Sequence, residues 1–243
     1  MIDLLREQLL APRYIGWLFD GWLTTLWVSL LVSASATALG VVVAAARSSS
    51  HAAWLRASGA YVSLFRNTPL LVQLFFWYFG APAVLPEAAR EWLYAGHVLS
   101  FELLSALVGL TLYAAAYVGE DIRSGIRGVP SGQSLAASAL GFTQAQVLAQ
   151  VVLPQALRIA LPPLLGQYMN IVKNTSLAMA VGLVELSYAS RQVEAETFKT
   201  FQAFGFATLL YIVTIGAIEL LAAWAARRQA KGHRPVSGKA AWR

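Results

Sequence analysis

The sequence predicts an all-α integral membrane protein with five transmembrane helices. Of its 243 residues, 58% are hydrophobic and only 12% are charged, whereas soluble domains average roughly 25% charged residues. The segment between Asp20 and Arg47 contains no charged residue. Its length of about 26 residues exceeds the roughly 20 that are needed to cross the hydrocarbon core of a bilayer. Composition and this one segment therefore place the chain in a membrane.

Five apolar segments within a single transmembrane domain, residues 1–243, account for the predicted spans. The first is the uncharged segment described above, and the other four contain isolated polar residues or prolines. Each is long enough to cross the hydrocarbon core as a helix. The predicted spans cover about 21–46, 59–80, 99–122, 159–183 and 203–225.

Lys and Arg residues predict the orientation of these spans. Eleven of the 18 lie in the 47–56 loop, in the 123–158 connection or in the tail that begins at residue 227. Because positive residues concentrate on the cytoplasmic side, we expect the C-terminus in the cytoplasm and the N-terminus on the periplasmic side. The basic tail is explained by topology and anionic lipid headgroups, so we expect no nucleic-acid partner.

The connection over about 129–153 predicts two short helices with a sharp turn between them. Pro130 offers a helix start, and Gly141 offers a stop at which a positive φ angle costs little. Thr143 and Gln146 have capping-box spacing, and the second helix is expected to end at Pro154. The surface around the small residues could admit a partner protein closely. The alternative is an interfacial amphipathic loop without a partner.

Polar residues inside the second span predict an irregular helix. Pro69 removes a helix hydrogen bond, so we expect a kink there. Irregular backbone persists at membrane depth only where it is buried in protein or lines a wet cavity. An Arg at the start of this segment could instead extend to the cytoplasmic interface. The candidate pathway residues are Arg66, Asn67, Thr68 and Gln73.

A second polar group lies near the middle of the fourth span, after Pro162 and Pro163. A Lys at the centre of a lipid-facing helix costs roughly 2.5 to 3.5 kcal/mol. Lys173 is therefore expected to face a bundle interior, a water-filled cavity or a subunit interface. It could act as a structural tie between helices or as part of a solute pathway. Its polar neighbours are Asn174, Thr175 and Ser176.

The sequence contains no pattern typical of catalysis or metal binding. It has no Cys, and its three His residues are scattered at positions 51, 97 and 233. It also lacks a G-x-x-x-x-G-K-[ST] phosphate loop and a G-x-S-x-G nucleophile motif. We therefore expect neither an enzyme nor a metal or cofactor site on this chain.

Four motifs resemble permease subunits of bacterial polar amino-acid ABC importers, the histidine/glutamate permease family. They are FRNTPLLVQLFFWY (65–78), YVGEDIRSGI (117–126), GQSLAASALGF with VVLPQALR (132–158), and PPLLGQYMNIVKNTSL with VGLVEL (162–186). The cytoplasmic signature of that family reads EAA, three residues, Gly, nine residues, Ile, one residue, Leu-Pro. Here Leu135 stands at the usual Glu and Val151 at the usual Ile. The coupling residues that this resemblance implies are Ala136, Ala137, Ala139, Leu140, Gly141, Phe142, Leu153 and Pro154.

The resemblance implies a type I ABC importer permease fold with a cytoplasmic coupling helix, in the bacterial inner membrane. It implies a second permease subunit, identical or different, two cytoplasmic ATPase subunits that bind ATP and Mg, and a periplasmic amino-acid-binding protein. The motifs are most similar to those of glutamate/aspartate importers, with glutamine or another polar amino acid as the alternative. An ion-gradient-driven secondary transporter is the rival class, but the sequence shows no internal repeat.

Overall fold

The protein is a bundle of α-helices in the computed structural model, which describes residues 10–96 and 99–231, with side chains up to residue 224. Over these residues the structure contains no β-strand, so the all-α prediction is confirmed. The helices are α1 (Pro12–Arg47), α2 (Ala52–Asn67), α3 (Leu70–Ala83), α4 (Glu87–Tyr94), α5 (Phe101–Arg127), α6 (Ser131–Ala139), α7 (Gln144–Val181), α8 (Leu186–Thr197) and α9 (Thr200–Lys231).

Within the described ranges, four helices are long and apolar enough to cross a membrane, namely α1, α5, α7 and α9. They overlap the first, third, fourth and fifth predicted spans. The second predicted span, 59–80, is divided between α2 and α3, where the chain is extended at Thr68 and Pro69. Pro69 has no N–H and disfavours helical geometry at the residue before it, so the expected kink is a complete break.

Helix α7 corrects the boundaries predicted for the connection. The second short helix does not end at Pro154 but continues as α7, which therefore begins about 15 residues before the predicted span. A π-helical segment, Val147–Val152, immediately precedes the Pro. The wider π turn relieves the clash between a proline ring and the preceding turn, which allows the helix to run on. Pro162 and Pro163 also lie inside α7.

The two largest apolar cores of the described residues organise the bundle. The first joins the middle of α1 to α3, α5 and α7, with Val32, Leu74 and Leu110 almost completely buried. The second joins the N-terminal part of α1 to α8 and α9 through residues such as Leu18 and Leu186. Helix α1 belongs to both cores, so it holds α8 and α9 against the rest of the bundle.

Close glycine contacts set the distance between the long helices. A Cβ atom added at Gly119 of α5 would lie 2.8 Å from Cγ1 of Val43 in α1. One added at Gly125 of α5 would lie 2.6 Å from the carbonyl oxygen of Ala156 and 2.7 Å from Cβ of Ala160, both in α7. These contacts are shorter than any that real side chains maintain, so α5 must carry glycine where it crosses α7.

We expect Gly125→Ala to destabilise the protein, because the backbone oxygen of Ala156 cannot move aside without displacing α7. Overpacking of this kind costs about 1–3 kcal/mol. Thermal unfolding of the purified protein in detergent measures the effect. Gly16→Ala in α1 is the control, since nothing lies within 4 Å of its added Cβ. Equal melting temperatures for the two variants would contradict the assigned crossing.

Candidate functional site

The turn after α6 has the geometry that the sequence predicts. Gly141 has a φ angle of +88°, in the left-handed region that favours glycine. The N–H of Phe142 donates to the carbonyl of Ala137 at 3.2 Å, and the N–H of Gly141 donates to Ser138 at 3.0 Å. These bonds satisfy carbonyls at the end of the helix and fix the direction in which the chain leaves it.

The predicted capping box is present directly after this turn. The N–H of Thr143 donates to Oε1 of Gln146 at 2.8 Å, and the N–H of Gln146 donates to Oγ1 of Thr143 at 3.3 Å. The box begins α7, so α6 and the long helix are joined by only four residues, 140–143. A force on α6 therefore reaches α7 through a short, hydrogen-bonded connection.

An exposed apolar surface, which we call the coupling surface, covers the end of α6. Leu135 and Leu140 are 69% and 79% exposed, and Phe142 is 39% exposed. Ala136, Ala139 and Gly141 are also exposed, and Leu153 and Pro154 are exposed on α7. Large apolar side chains exposed together are typical of interaction sites.

Ala137 corrects the expected small-residue surface. It is only 5% exposed and packs inward against Val129, Val147 and Val152. Its exposed neighbours Ala136 and Ser138 point away from this contact. Its role is to anchor α6 on the start of α7, while its neighbours form the outer face.

The first set of predicted polar residues lies at the break between α2 and α3. The guanidinium carbon of Arg66 lies 4.9 Å from the centre of the Tyr117 ring of α5, within the range of a cation–π contact. Asn67 and Arg66 are exposed, and Thr68 is half-buried. The structure thus links Arg66 to α5, a contact that the sequence pattern did not reveal.

The side chains of Gln73 and Thr68 form hydrogen bonds with backbone carbonyl groups at the break. Nε2 of Gln73 lies 3.0 Å from the carbonyl of Phe65, 3.1 Å from that of Thr68 and 2.7 Å from Oγ1 of Thr68. Oγ1 of Thr68 donates to the carbonyl of Leu64 at 2.8 Å. Gln73 is buried, so its amide stabilises the break from inside the bundle.

Lys173 lies at the junction where the α-helical part of α7 becomes a 3-10 helix, Thr175–Val181. Thr175 is fully buried and its Oγ1 donates to the carbonyl of Val172 at 2.8 Å, while Oγ of Ser176 donates to that of Lys173 at 2.7 Å. Asn174 is half-buried and Lys173 is exposed. Asn170, one turn earlier, is exposed on the same side of the helix as Lys173.

The ammonium group of Lys173 makes no hydrogen bond or ion pair with the part of the chain that the structure describes. Among the described residues, nothing ties the Lys173 side chain to another helix. An exposed Lys on an intramembrane helix is costly in lipid, so its surroundings must be water or another protein subunit.

A buried carboxyl group that the sequence analysis missed connects α8 to both neighbouring helices. Glu185 is 0% exposed, and its Oε1 accepts a hydrogen bond from the N–H of Tyr188 at 2.9 Å, which caps α8. Its Oε2 accepts from the hydroxyl of Tyr211 in α9 at 2.9 Å and lies 3.4 Å from Oγ1 of Thr25 in α1. The available signal was an acidic residue within the apolar run VGLVEL.

An ion cluster near the C-terminal ends of α1 and α5 joins these two helices. Oε1 of Glu120 is 2.9 Å from Nε of Arg47, and its Oε2 is 3.1 Å from Nη1 of Arg123. Sequence spacing indicates the local pair with Arg123, but Arg47 lies 73 residues away in the chain. The cluster ties the end of α1 to α5.

Comparison with known proteins agrees with the resemblance to permease subunits that the sequence motifs indicate. Residues 36–232 match the family described as binding-protein-dependent transport system inner membrane component. The chain is 33% identical over 209 residues to the glutamate/aspartate import permease protein GltJ of Escherichia coli (strain K12), which covers 86% of this chain and 85% of that protein.

Two further proteins are similar over most of their length. The probable glutamine ABC transporter permease protein GlnM of Bacillus subtilis (strain 168) is 37% identical over 194 residues, which are 80% of this chain and 84% of that protein. A crystal structure of an amino acid ABC transporter with histidines aligns with a TM-score of 0.78 and 26% identity. That alignment covers 89% of this chain and 95% of the other chain.

Proposed function

The chain belongs to the binding-protein-dependent transport system inner membrane components as an amino-acid ABC importer permease, and we propose that it imports acidic amino acids. The similarity to a glutamate/aspartate permease and the exposed Lys173 on α7 support this solute class. Glutamine is the second candidate, since a probable glutamine permease is 37% identical.

In this proposal the coupling surface binds a cytoplasmic ATPase subunit, and ATP and Mg are held by that partner. A second permease subunit, identical or different, completes the pathway in the inner membrane, and a periplasmic binding protein delivers the solute. ATP-driven closure of two ATPase subunits moves the coupling surfaces, and the permease bundles alternate between outward-open and inward-open states.

Leu135 indicates the chemistry of the contact with the ATPase. It stands where the family signature has Glu, and it is 69% exposed. With Leu140 at 79% exposure, it presents two aliphatic side chains to the partner. We therefore expect the facing groove of the ATPase to be apolar at this position, because burying these side chains stabilises the complex.

Lys173 is the residue that we assign to the solute pathway. Its charge is not neutralised within the described part of this chain, and Asn170 extends the polar face of α7. A charge-assisted hydrogen bond contributes about 1.5–3 kcal/mol. Contact with the carboxylate of a glutamate or aspartate side chain would therefore favour these solutes over their neutral analogues.

Gly141→Leu tests the coupling surface. Nothing in this chain lies within 4 Å of a Cβ added at Gly141, so within the chain the cost is that of the left-handed backbone, about 1–2 kcal/mol for a non-glycine residue. In the complex the Leu side chain also meets the bound ATPase. We expect loss of ATPase co-purification or ATP hydrolysis that no longer drives uptake, with the membrane bundle still folded.

Gly141→Asn is the matched control, since Asn tolerates the left-handed conformation and should retain coupling. The assay compares ATPase recovered with the complex and ATP-dependent uptake in proteoliposomes. Normal uptake by Gly141→Leu would show that the turn is not needed for coupling.

Lys173→Met tests the solute pathway. We expect the complex to assemble and uptake of glutamate and aspartate to fall at least about tenfold more than uptake of glutamine, because only the acidic side chains lose a charge partner. Lys173→Arg keeps the charge and should retain more than half of the activity. Reduced assembly with an equal loss for all three solutes would instead assign Lys173 a structural role between subunits.

A further inference from the structure

A cavity of about 490 Å³ lies between the 3-10 end of α7 and the side of α8. This volume is within the range of small-molecule sites, about 300–1,000 Å³. It lies at the end of α7 opposite to the coupling surface. Its lining includes Met179 and Ala180 from α7 and Tyr188, Arg191, Gln192 and Glu194 from α8.

The two charged residues of this cavity do not pair with each other. Arg191 and Glu194 are three positions apart on one helix, a spacing at which opposite charges commonly interact. Arg191 nevertheless makes no hydrogen bond or ion pair with any residue that the structure describes. The carboxylate of Glu194 accepts one long hydrogen bond, from Oγ1 of Thr200 at 3.4 Å. One positive and one negative group are thus available to a ligand.

The helix that carries both groups is held firmly. Glu185 caps α8 and accepts a hydrogen bond from Tyr211 of α9 at 2.9 Å. On α1, a Cβ added at Gly21 would lie 2.8 Å from Cβ of Ala189, so the two helices are in close contact. The backbone positions of Arg191 and Glu194 are therefore fixed relative to each other before a ligand arrives, and only the side-chain rotamers remain to be ordered on binding.

We propose that this cavity binds the α-carboxylate and α-ammonium groups of a free amino acid. The Arg191 guanidinium receives the carboxylate through two parallel hydrogen bonds, the geometry for which Arg is suited. The Glu194 carboxylate receives the ammonium group. The proposal rests on the proposed function, and it adds an outer site that recognises amino acids by the groups that all of them share.

The position of the cavity relates this site to Lys173. Ala180 lies seven positions after Lys173 in α7, which corresponds to about 12 Å along the helix. The outer site therefore recognises the class of solute, and the discrimination of side chains takes place farther along α7. Neutral and acidic amino acids are both accepted at the cavity.

Binding of free ligands to the whole transporter complex in nanodiscs, without the binding protein, tests this site. The probes are L-glutamate, L-glutamine and N-acetyl-L-glutamate, whose ammonium group is blocked. We expect Arg191→Gln to weaken all three at least about tenfold, the loss of one charge-assisted bidentate contact. Glu194→Gln should weaken glutamate and glutamine similarly but leave N-acetyl-L-glutamate unchanged.

Glu196→Gln is the control on the same helix. Glu196 lies outside the cavity, near Arg13 and Tyr14 of α1, so its variant should bind all probes as the unmodified protein does. Glutamate affinities of the Arg191 and Glu194 variants equal to that of the unmodified complex would contradict the site. So would absence of binding by the unmodified complex at millimolar ligand.

The Arg191→Gln variant also distinguishes an amino-acid site from a docking surface for the binding protein. If Arg191→Gln lowers only the affinity of the loaded binding protein for the complex, the cavity is a protein-docking surface and the proposal is wrong. Uptake assays on the unmodified complex test the proposed function independently. A complex that imports glutamine but not glutamate would overturn the acidic solute class while leaving the outer site intact, because the site recognises both.

Discussion

Backbone hydrogen bonds inside a bilayer cannot be completed by water, and this requirement shapes the irregular points of the bundle. At the break before Pro69, Thr68 donates a hydrogen bond to the carbonyl of Leu64, and Gln73 donates to the carbonyls of Phe65 and Thr68. At the end of α7, the N–H of Leu183 donates to the carbonyl of Ala178 at 3.2 Å. The first turn of α8 is capped by buried Glu185. Each interruption is thus stabilised locally, which permits non-helical backbone at these depths.

Helix α7 is the element that matters most for the proposed function. It spans 38 residues, from the capping box beside the coupling surface to the 3-10 segment that lines the outer cavity. The π turn before Pro154 allows it to begin at the coupling surface rather than at the membrane. In the proposed function, movement imposed by the ATPase therefore reaches Lys173 and the outer site through one continuous element.

Features with a local cause could be predicted from the sequence, and those with a tertiary cause could not. Gly141 and the Thr143 capping box depend on a few adjacent residues, so their pattern indicated the turn. The passage of α7 through Pro154 depends on a widened turn packed against Val129 and Ala137, which no local pattern reveals. Glu185 is held by residues from 26 to 160 positions away. Its role could therefore be recognised only from the folded structure.

We propose that α7 connects a cytoplasmic coupling surface to an outer cavity, with its two ends on opposite faces of the membrane. Cysteine labelling tests it directly, because the chain contains no native Cys. Gln133→Cys on α6 and Ala195→Cys on α8 are treated with a membrane-impermeant maleimide in spheroplasts. We expect Ala195→Cys to be labelled in intact spheroplasts and Gln133→Cys only after the inner membrane is opened. Labelling of both from the same side would contradict it.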